Sequence, residues 1–277
     1  PAHGRQEGVN YNGHFRKNCY HPLFCFSASG ICLAGKLHEG NVHSAYGALE
    51  MLSPIVERYR KHFKQFWLRE DAAFAKPELY AYCEQRKMTY FIRLKSNNTL
   101  KNLIEPYLER PTGSLLKSGI EEKFIDLSYQ AGSWEIPRRV VCRIAWHENE
   151  LFPRIGFVVT NSRISVEKVI KVYNRRAEIE NRIKEGKNTL RWDKTSCHRF
   201  ESNEARLKMG LLAYNLLHLL RKCYIRGEGV RRSVEWMIRR LIKVGAKFSY
   251  HARRWQVQVS SAFPLRHHYL AVIESGR

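Results

Sequence analysis

The chain has 277 residues, 44% of them hydrophobic, and carries 48 Lys and Arg against 26 Asp and Glu, a formal net charge of +22. That length allows one large domain or a core with an insertion. The charge exceeds what solubility needs and implies a polyanionic partner, nucleic acid being the usual one and a ribosome-like or membrane-surface role the alternative.

Taken in chain order, "HPLFCFSAS" and "GICLAGKLH" are two short β-type runs joined at Gly30 and predict an antiparallel pair. "SAYGALEMLSPIVERYRKH", Ser44 to His62, has helical spacing interrupted by Pro54. "KQFWLRED" predicts a buried strand ending at Asp71, and "AKPELYAYCEQRKM" a helix with Pro77 in its first turn. "TYFIRLKSN" is the next strand. Strand, strand, helix, strand, helix, strand is the order of an α/β core.

From about Lys123 the texture becomes β-rich. "KFIDLSYQ" and "RRVVCRIAW" predict a β insertion, and "RIGFVVTN" a return to the main sheet. Beyond Ser165 the pattern is helical almost to Tyr250. The most apolar run, "GLLAYNLLHLL" from Gly210 to Leu220, is too short for a bilayer and includes Asn215 and His218, so it predicts a core helix. No targeting segment is evident. The seven cysteines, an odd number without repeating spacing, point to a reducing, cytoplasmic setting rather than a disulfide framework. Cys19, His21, Cys25 and Cys32 lack the paired spacing of a structural zinc site. No glycine-rich phosphate loop implies a nucleotide cofactor.

"VYNRRAEIENRIKEGKNTLRW", Val172 to Trp192, predicts one charged helix. At about 100° per residue, Tyr173, Arg176, Glu180 and Lys187 share a stripe about 60° wide. A carboxylate flanked by cations suits phosphodiester chemistry: the acid can hold a divalent metal while Arg and Lys pair with phosphates. The plain alternative is a salt-bridged surface helix, since Arg176 and Glu180 are four apart. Asp71 has the same ambiguity, because strand ends gather functional side chains but also start helices.

These residues resemble a known group. The pattern Y-x-x-R-x-x-x-E-x-x-x-x-x-x-K, matched at Tyr173, Arg176, Glu180 and Lys187, is similar to the signature of bacterial insertion-sequence transposases of the DDE type. "LREDAAFAKPELYAYCE" resembles that group's second-aspartate motif. "AHGRQEGVNYNGHFRKNCYHPL", "NRIKEGKNTLRWDKTSCHRFESNEARL" and "LLAYNLL" resemble its sub-group thirteen-eighty, up to about residue 225.

The resemblance implies a ribonuclease-H-like mixed sheet with a β-rich insertion before the glutamate helix and a helical C-terminal region. The expected parts are residues 1–122 and 151–225 as core, 123–150 as insertion and 226–277 as a basic C-terminal region. It implies Asp71 and Glu180 as catalytic carboxylates that meet at Mg2+ or Mn2+ ions, cleaving duplex DNA at element ends and joining it to a target. Tyr173, Arg176, Lys187 and Trp192 would contact DNA, Trp192 by stacking on an unpaired base or, alternatively, by packing in the core. A homodimer on DNA and a bacterial, nucleoid-associated setting are also implied.

The group's first aspartate lies on a strand preceding the segment that matches "PAHG", whereas the first acid here is Glu7. The expectation is therefore an N-terminally truncated transposase with little strand-transfer activity. Two further readings stay open: a metal-dependent nuclease of the same fold, and a non-catalytic DNA-binding protein. "RRSVEWMIRRLIKVGAKFSYHARRWQ", Arg231 to Gln256, is strongly basic with interleaved Trp236, Phe248, Tyr250 and Trp255. It reads either as an amphipathic helix or as a phosphate-contact surface.

Overall fold

A computed structural model describes residues 5–109, 119–148, 150–260 and 262–275. The "PAHG" start lies outside them. In chain order the elements are β1 (Asn10–Asn12), β2 (Lys17–Cys19), β3 (Leu23–Phe26), β4 (Cys32–Lys36), α1 (Ala48–Arg60), β5 (Trp67–Glu70), α2 (Pro77–Gln85), β6 (Thr89–Leu94) and α3 (Asn98–Ile104). There follow β7 (Ile120–Tyr129), β8 (Arg138–His147), β9 (Arg154–Thr160), α4 (Val166–Asn174), α5 (Ala177–Leu190), α6 (Phe200–Glu228), α7 (Val234–Met237), β10 (Ala246–His251), β11 (Arg254–Val259) and α8 (Arg266–Ser275). The protein is mixed α/β. Among the described residues no helix is long and apolar enough to cross a membrane.

Two compact units form, one from residues 43–178 and the other from 1–42 with 179–277. The first is built on a five-stranded mixed sheet in the order β5-β6-β9-β8-β7, in which β5 runs parallel to β6 and the other pairs are antiparallel. The runs read as an insertion, β7 and β8, are thus continuous with the sheet that carries β5. α4 lays its apolar side on that sheet: Val169 and Ile170 pack with Phe91, Val141 and Val158. At the end of α2, Arg138 grips Glu84 with two hydrogen bonds, 2.9 and 3.0 Å, and lies over the rings of Tyr80 and Trp134. That pairing lets a charged side chain sit in an aromatic core.

In the second unit, β3 and β4 form their own two-stranded sheet with a bulge after Cys25. The apolar run of α6 covers them. Asn215, the polar interruption in that run, explains itself: its side chain accepts from the Cys32 amide and donates to the Cys32 carbonyl, both at 2.8 Å. An asparagine there satisfies backbone groups that the short strand leaves unpaired.

The core of this unit centres on Trp192, which packs with Cys32, Leu37, Leu207, Leu211 and Tyr214. Arg191 takes a left-handed backbone conformation, φ 58°, and returns the chain onto α5. The indole then lies flat against Gly186, where an added Cβ would sit 2.3 Å from the ring. A glycine inside a helix costs about 1 kcal/mol relative to alanine; here it makes the slot for the tryptophan. Gly186→Ala is expected to lower stability by about 1–3 kcal/mol through overpacking, read as a drop in the thermal unfolding midpoint.

Beyond Ser165 the structure departs from the sequence expectation in two places. The helix expected over Val172–Trp192 is broken: α4 ends at Asn174 and α5 begins at Ala177. Helical continuity to Tyr250 also fails, because β10 and β11 form an antiparallel hairpin from Ala246 to Val259. β-branched and aromatic residues alternating with polar ones favour that ribbon over a helix.

Candidate functional site

Asp71 follows the last residue of β5 and caps a single 3-10 turn, Ala72–Phe74. Its Oδ1 accepts from the Ala73 amide at 2.9 Å. Its Oδ2 accepts from Arg176 Nη2 at 3.1 Å, joining two segments 105 residues apart. Both side chains keep some solvent contact, 25% for Arg176 and 40% for Asp71. An ion pair in that setting contributes only about 0–1 kcal/mol to stability, so its effect is to fix where the carboxylate points.

Arg176 falls between α4 and α5, where its amide closes a turn onto the Tyr173 carbonyl at 2.8 Å. Tyr173, half-buried on the last turn of α4, lies within the same electrostatic neighbourhood. Burial raises its hydroxyl above the usual tyrosine range, with Arg176 and Arg93 opposing the shift and Asp71 adding to it. Glu70, next to Asp71, is pushed up to about 8, first by burial and then by Asp71, with Arg176 opposing.

Glu180 and Lys187 lie on α5, both exposed. Seven residues apart, they keep one face. The four-residue stripe expected from the sequence is thus divided: Tyr173 and Arg176 sit with Asp71 in the sheet unit, and Glu180 and Lys187 share a helix face in the other unit. Trp192 is only 7% exposed, with Phe24 and Tyr214 against its ring, which leaves no open face for a base. Among the described residues, no group of three or more His, Cys, Asp or Glu is placed to hold a metal ion. The oxygen donors of Asp71 and Glu180 are nonetheless of the hard type that Mg2+ takes.

A profile of the transposase DDE domain, group 1, matches residues 1–275. The chain belongs to that family. Its members are DNA-cleaving enzymes of transposition that typically use a divalent metal, and DNA is their substrate. No curated protein matches the chain.

The reading of single residues missed the polar network that holds α5. Arg221, whose side chain is 4% exposed, donates to both oxygens of Glu185 at 2.9 and 3.0 Å. Glu185 also accepts from the Val234 amide at 2.8 Å, capping α7. Arg221 Nη2 lies 2.9 Å from His218 Nδ1, and His218 Nε2 is 2.8 Å from the Ser29 carbonyl. Arginine can only donate, and a carbonyl can only accept. His218 must therefore be neutral with its proton on Nε2. Arg221 thus donates both ways, to Glu185 on α5 and, through His218, toward the β3–β4 turn. Spacing offers one hint, since His218 and Arg221 are three apart and share a side of α6, but nothing in it names Glu185 as their acceptor.

Burial, helped by Arg221, Lys222 and Arg182, lowers His218 to about 4, with only the hydrogen bond to Ser29 opposing. Unfolded, it would titrate near 6.5. Between those values the unfolded chain binds the extra proton, so this residue's share of stability is complete above about 6.5 and is lost as pH falls toward 4. Replacing it by glutamine, which keeps an amide donor for Ser29, is expected to reduce the acid-side slope of unfolding free energy by about 1–3 kcal/mol across that window. Urea titrations of parent and variant between pH 4 and 7.5 measure this.

Proposed function

We propose that this chain is a DNA strand-cleaving and strand-joining transposase of the Y-R-E-K type on a ribonuclease-H-like core. Asp71 and Glu180 serve as its metal-ligating carboxylates, and Mg2+ or Mn2+ is the metal. The observation that carries the reading is the Arg176–Asp71 pair. Two sequence motifs that match the same transposase signature meet in space, and they meet at the atoms the chemistry would use.

Within this reading the roles of the residues follow from their surroundings. Each Asp71 oxygen accepts one hydrogen bond and retains a further lone pair for a cation. Arg176 holds the carboxylate's direction as an outer partner of a ligand. Lys187, on the Glu180 face of α5, supplies positive charge for the DNA backbone. A bound divalent ion would supply charge stabilisation for the attacking and leaving oxygens of an in-line displacement at phosphorus. The substrate is duplex DNA, both element ends and target, handled by a homodimer. The net charge of +22 supports a polyanionic substrate.

Asp71→Asn and Glu180→Gln, each in the intact protein, are expected to abolish magnesium-dependent nicking of a plasmid carrying the element's ends. Affinity for the same DNA should stay within about 3-fold, since neutralising an acid does not remove a phosphate contact. Mn2+ binding, followed by electron paramagnetic resonance, should weaken in parallel. Full cleavage by either variant overturns the assignment. Capture of joined product separates a transposase from a nuclease that only cuts.

Arg176→Ala is expected to slow cleavage by about 10–100-fold, the range for outer partners of a metal ligand. Arg176→Lys should recover only part of that loss, because an ammonium does not reproduce the directed guanidinium bond. Single-turnover kinetics with saturating DNA measure both.

A further inference from the structure

The β10–β11 hairpin has a composition that neither its fold nor the carboxylates account for. Its register places Phe248 opposite Val257 and Tyr250 opposite Trp255. With period two, these four side chains share one face of the ribbon. All are in solvent: Phe248 is 67% exposed, Tyr250 61%, Trp255 71% and Val257 56%. The Tyr250 and Trp255 rings stand 5.1 Å apart. Nearly every other residue of the two strands is exposed as well. A two-stranded hairpin in water is marginal on its own, and a contiguous apolar face of this kind marks a contact surface.

The charge around it selects the partner. From Trp236 to Ile273 the chain contains no Asp or Glu, while Arg239, Arg240, Lys243, Lys247, Arg253, Arg254 and Arg266 all fall in that stretch. The turn adds a second sign. Ala252 and Arg253 join the strands with φ of 51° and 60°, values that a two-residue hairpin turn usually assigns to Asn and Gly. Holding an arginine in that conformation costs stability of order 1 kcal/mol, and it sets a cation at the ribbon's tip. An apolar face in a stretch whose only charged side chains are cations fits a polyanion that itself offers flat apolar surfaces. Unpaired DNA has both, whereas a duplex hides the faces of its bases in the stack. Alternate residues of one strand, such as Phe248 and Tyr250, are about 6.7 Å apart, or about two base rises of 3.4 Å.

We propose that this hairpin is a binding site for single-stranded DNA, with bases stacking on Phe248, Tyr250 and Trp255 and phosphate paired with Arg253 at the turn. The site rests on the transposase reading, which makes DNA the substrate.

Fluorescence polarisation of the intact protein with a labelled oligothymidine of about 20 nucleotides and with a duplex of about 20 base pairs tests it. In the F248A/Y250A/W255A variant, oligothymidine binding is expected to weaken by at least about 30-fold, since each stacked base contributes about 1–3 kcal/mol. Duplex binding should change by less than about 3-fold, and Trp255→Phe alone should retain single-strand affinity. Arg253→Ala should reduce the salt dependence of oligothymidine binding by about 0.7 in the log–log slope. The substituted side chains are exposed, so the unfolding midpoint should hold within about 2 °C.

Unchanged oligothymidine binding by the triple variant overturns the proposal, as does an equal loss for the duplex. A triple variant that instead loses self-association in sedimentation, or binding to anionic vesicles, with single-strand affinity intact, overturns it in favour of that occupant. Failure of the parent to bind either DNA would sink the transposase reading too. A parent that binds and nicks duplex, with the triple variant matching it on oligothymidine, sinks the hairpin site alone.

Discussion

The candidate site depends on one contact, the guanidinium of Arg176 against the carboxylate of Asp71. In energy it is a small interaction, because both groups keep solvent contact. Its significance is geometric. Asp71 emerges from a strand whose only sheet partner among the described residues is β6, and a carboxylate at such a place is free to choose among rotamers. The amide of Ala73 takes one oxygen and Arg176 the other. With both oxygens engaged, the remaining lone pairs have set directions, which is what a hard cation with strict angular demands requires.

Arg176 makes that contact from the point where a helix stops. Continued regularly through Arg175 and Arg176, the α4–α5 segment would have kept Arg176 on a stripe with Glu180, where an i,i+4 pair was the plain expectation. At the interruption Arg176 donates to Asp71, and Glu180 and Lys187 follow on α5. α5 is then secured by other means. The hydrogen-bonded chain from Glu185 through Arg221 and His218 to the Ser29 carbonyl binds it to α6 and to the β3–β4 turn. Beneath that turn Gly30, at φ 96°, leaves room for the buried guanidinium of Arg182, which an added Cβ would meet at 1.8 Å. The chain that carries these arrangements belongs to the transposase DDE domain family.

Much of this was legible in the sequence. The alternation of β-type runs and helical stretches indicated the α/β order, but β5 ends at Glu70, one residue short of the end expected from "KQFWLRED", and with Trp67 52% exposed it is not the buried strand predicted. The motif spacing singled out Tyr173, Arg176, Glu180 and Lys187 without any coordinates. The excess of cations over acids pointed to a polyanion before any surface could be seen. Such features are local or compositional: period, punctuation and net charge are properties of neighbouring residues and survive without a fold.

What the tertiary structure alone decided involves partners distant in the chain. Periodicity could not show that α4 and α5 part at Arg176, because the residues there are compatible with a helix and the competing interaction lies 105 positions away. It could not send Trp192 into the core, since that depends on glycines at 186 and 210 presenting a flat surface to it. Nor could it identify Glu185 as the acceptor for Arg221. Local pattern fixes which conformations a segment can adopt. Which one it keeps is settled by the side chains that reach it from elsewhere in the chain, and those meetings exist only in the folded protein.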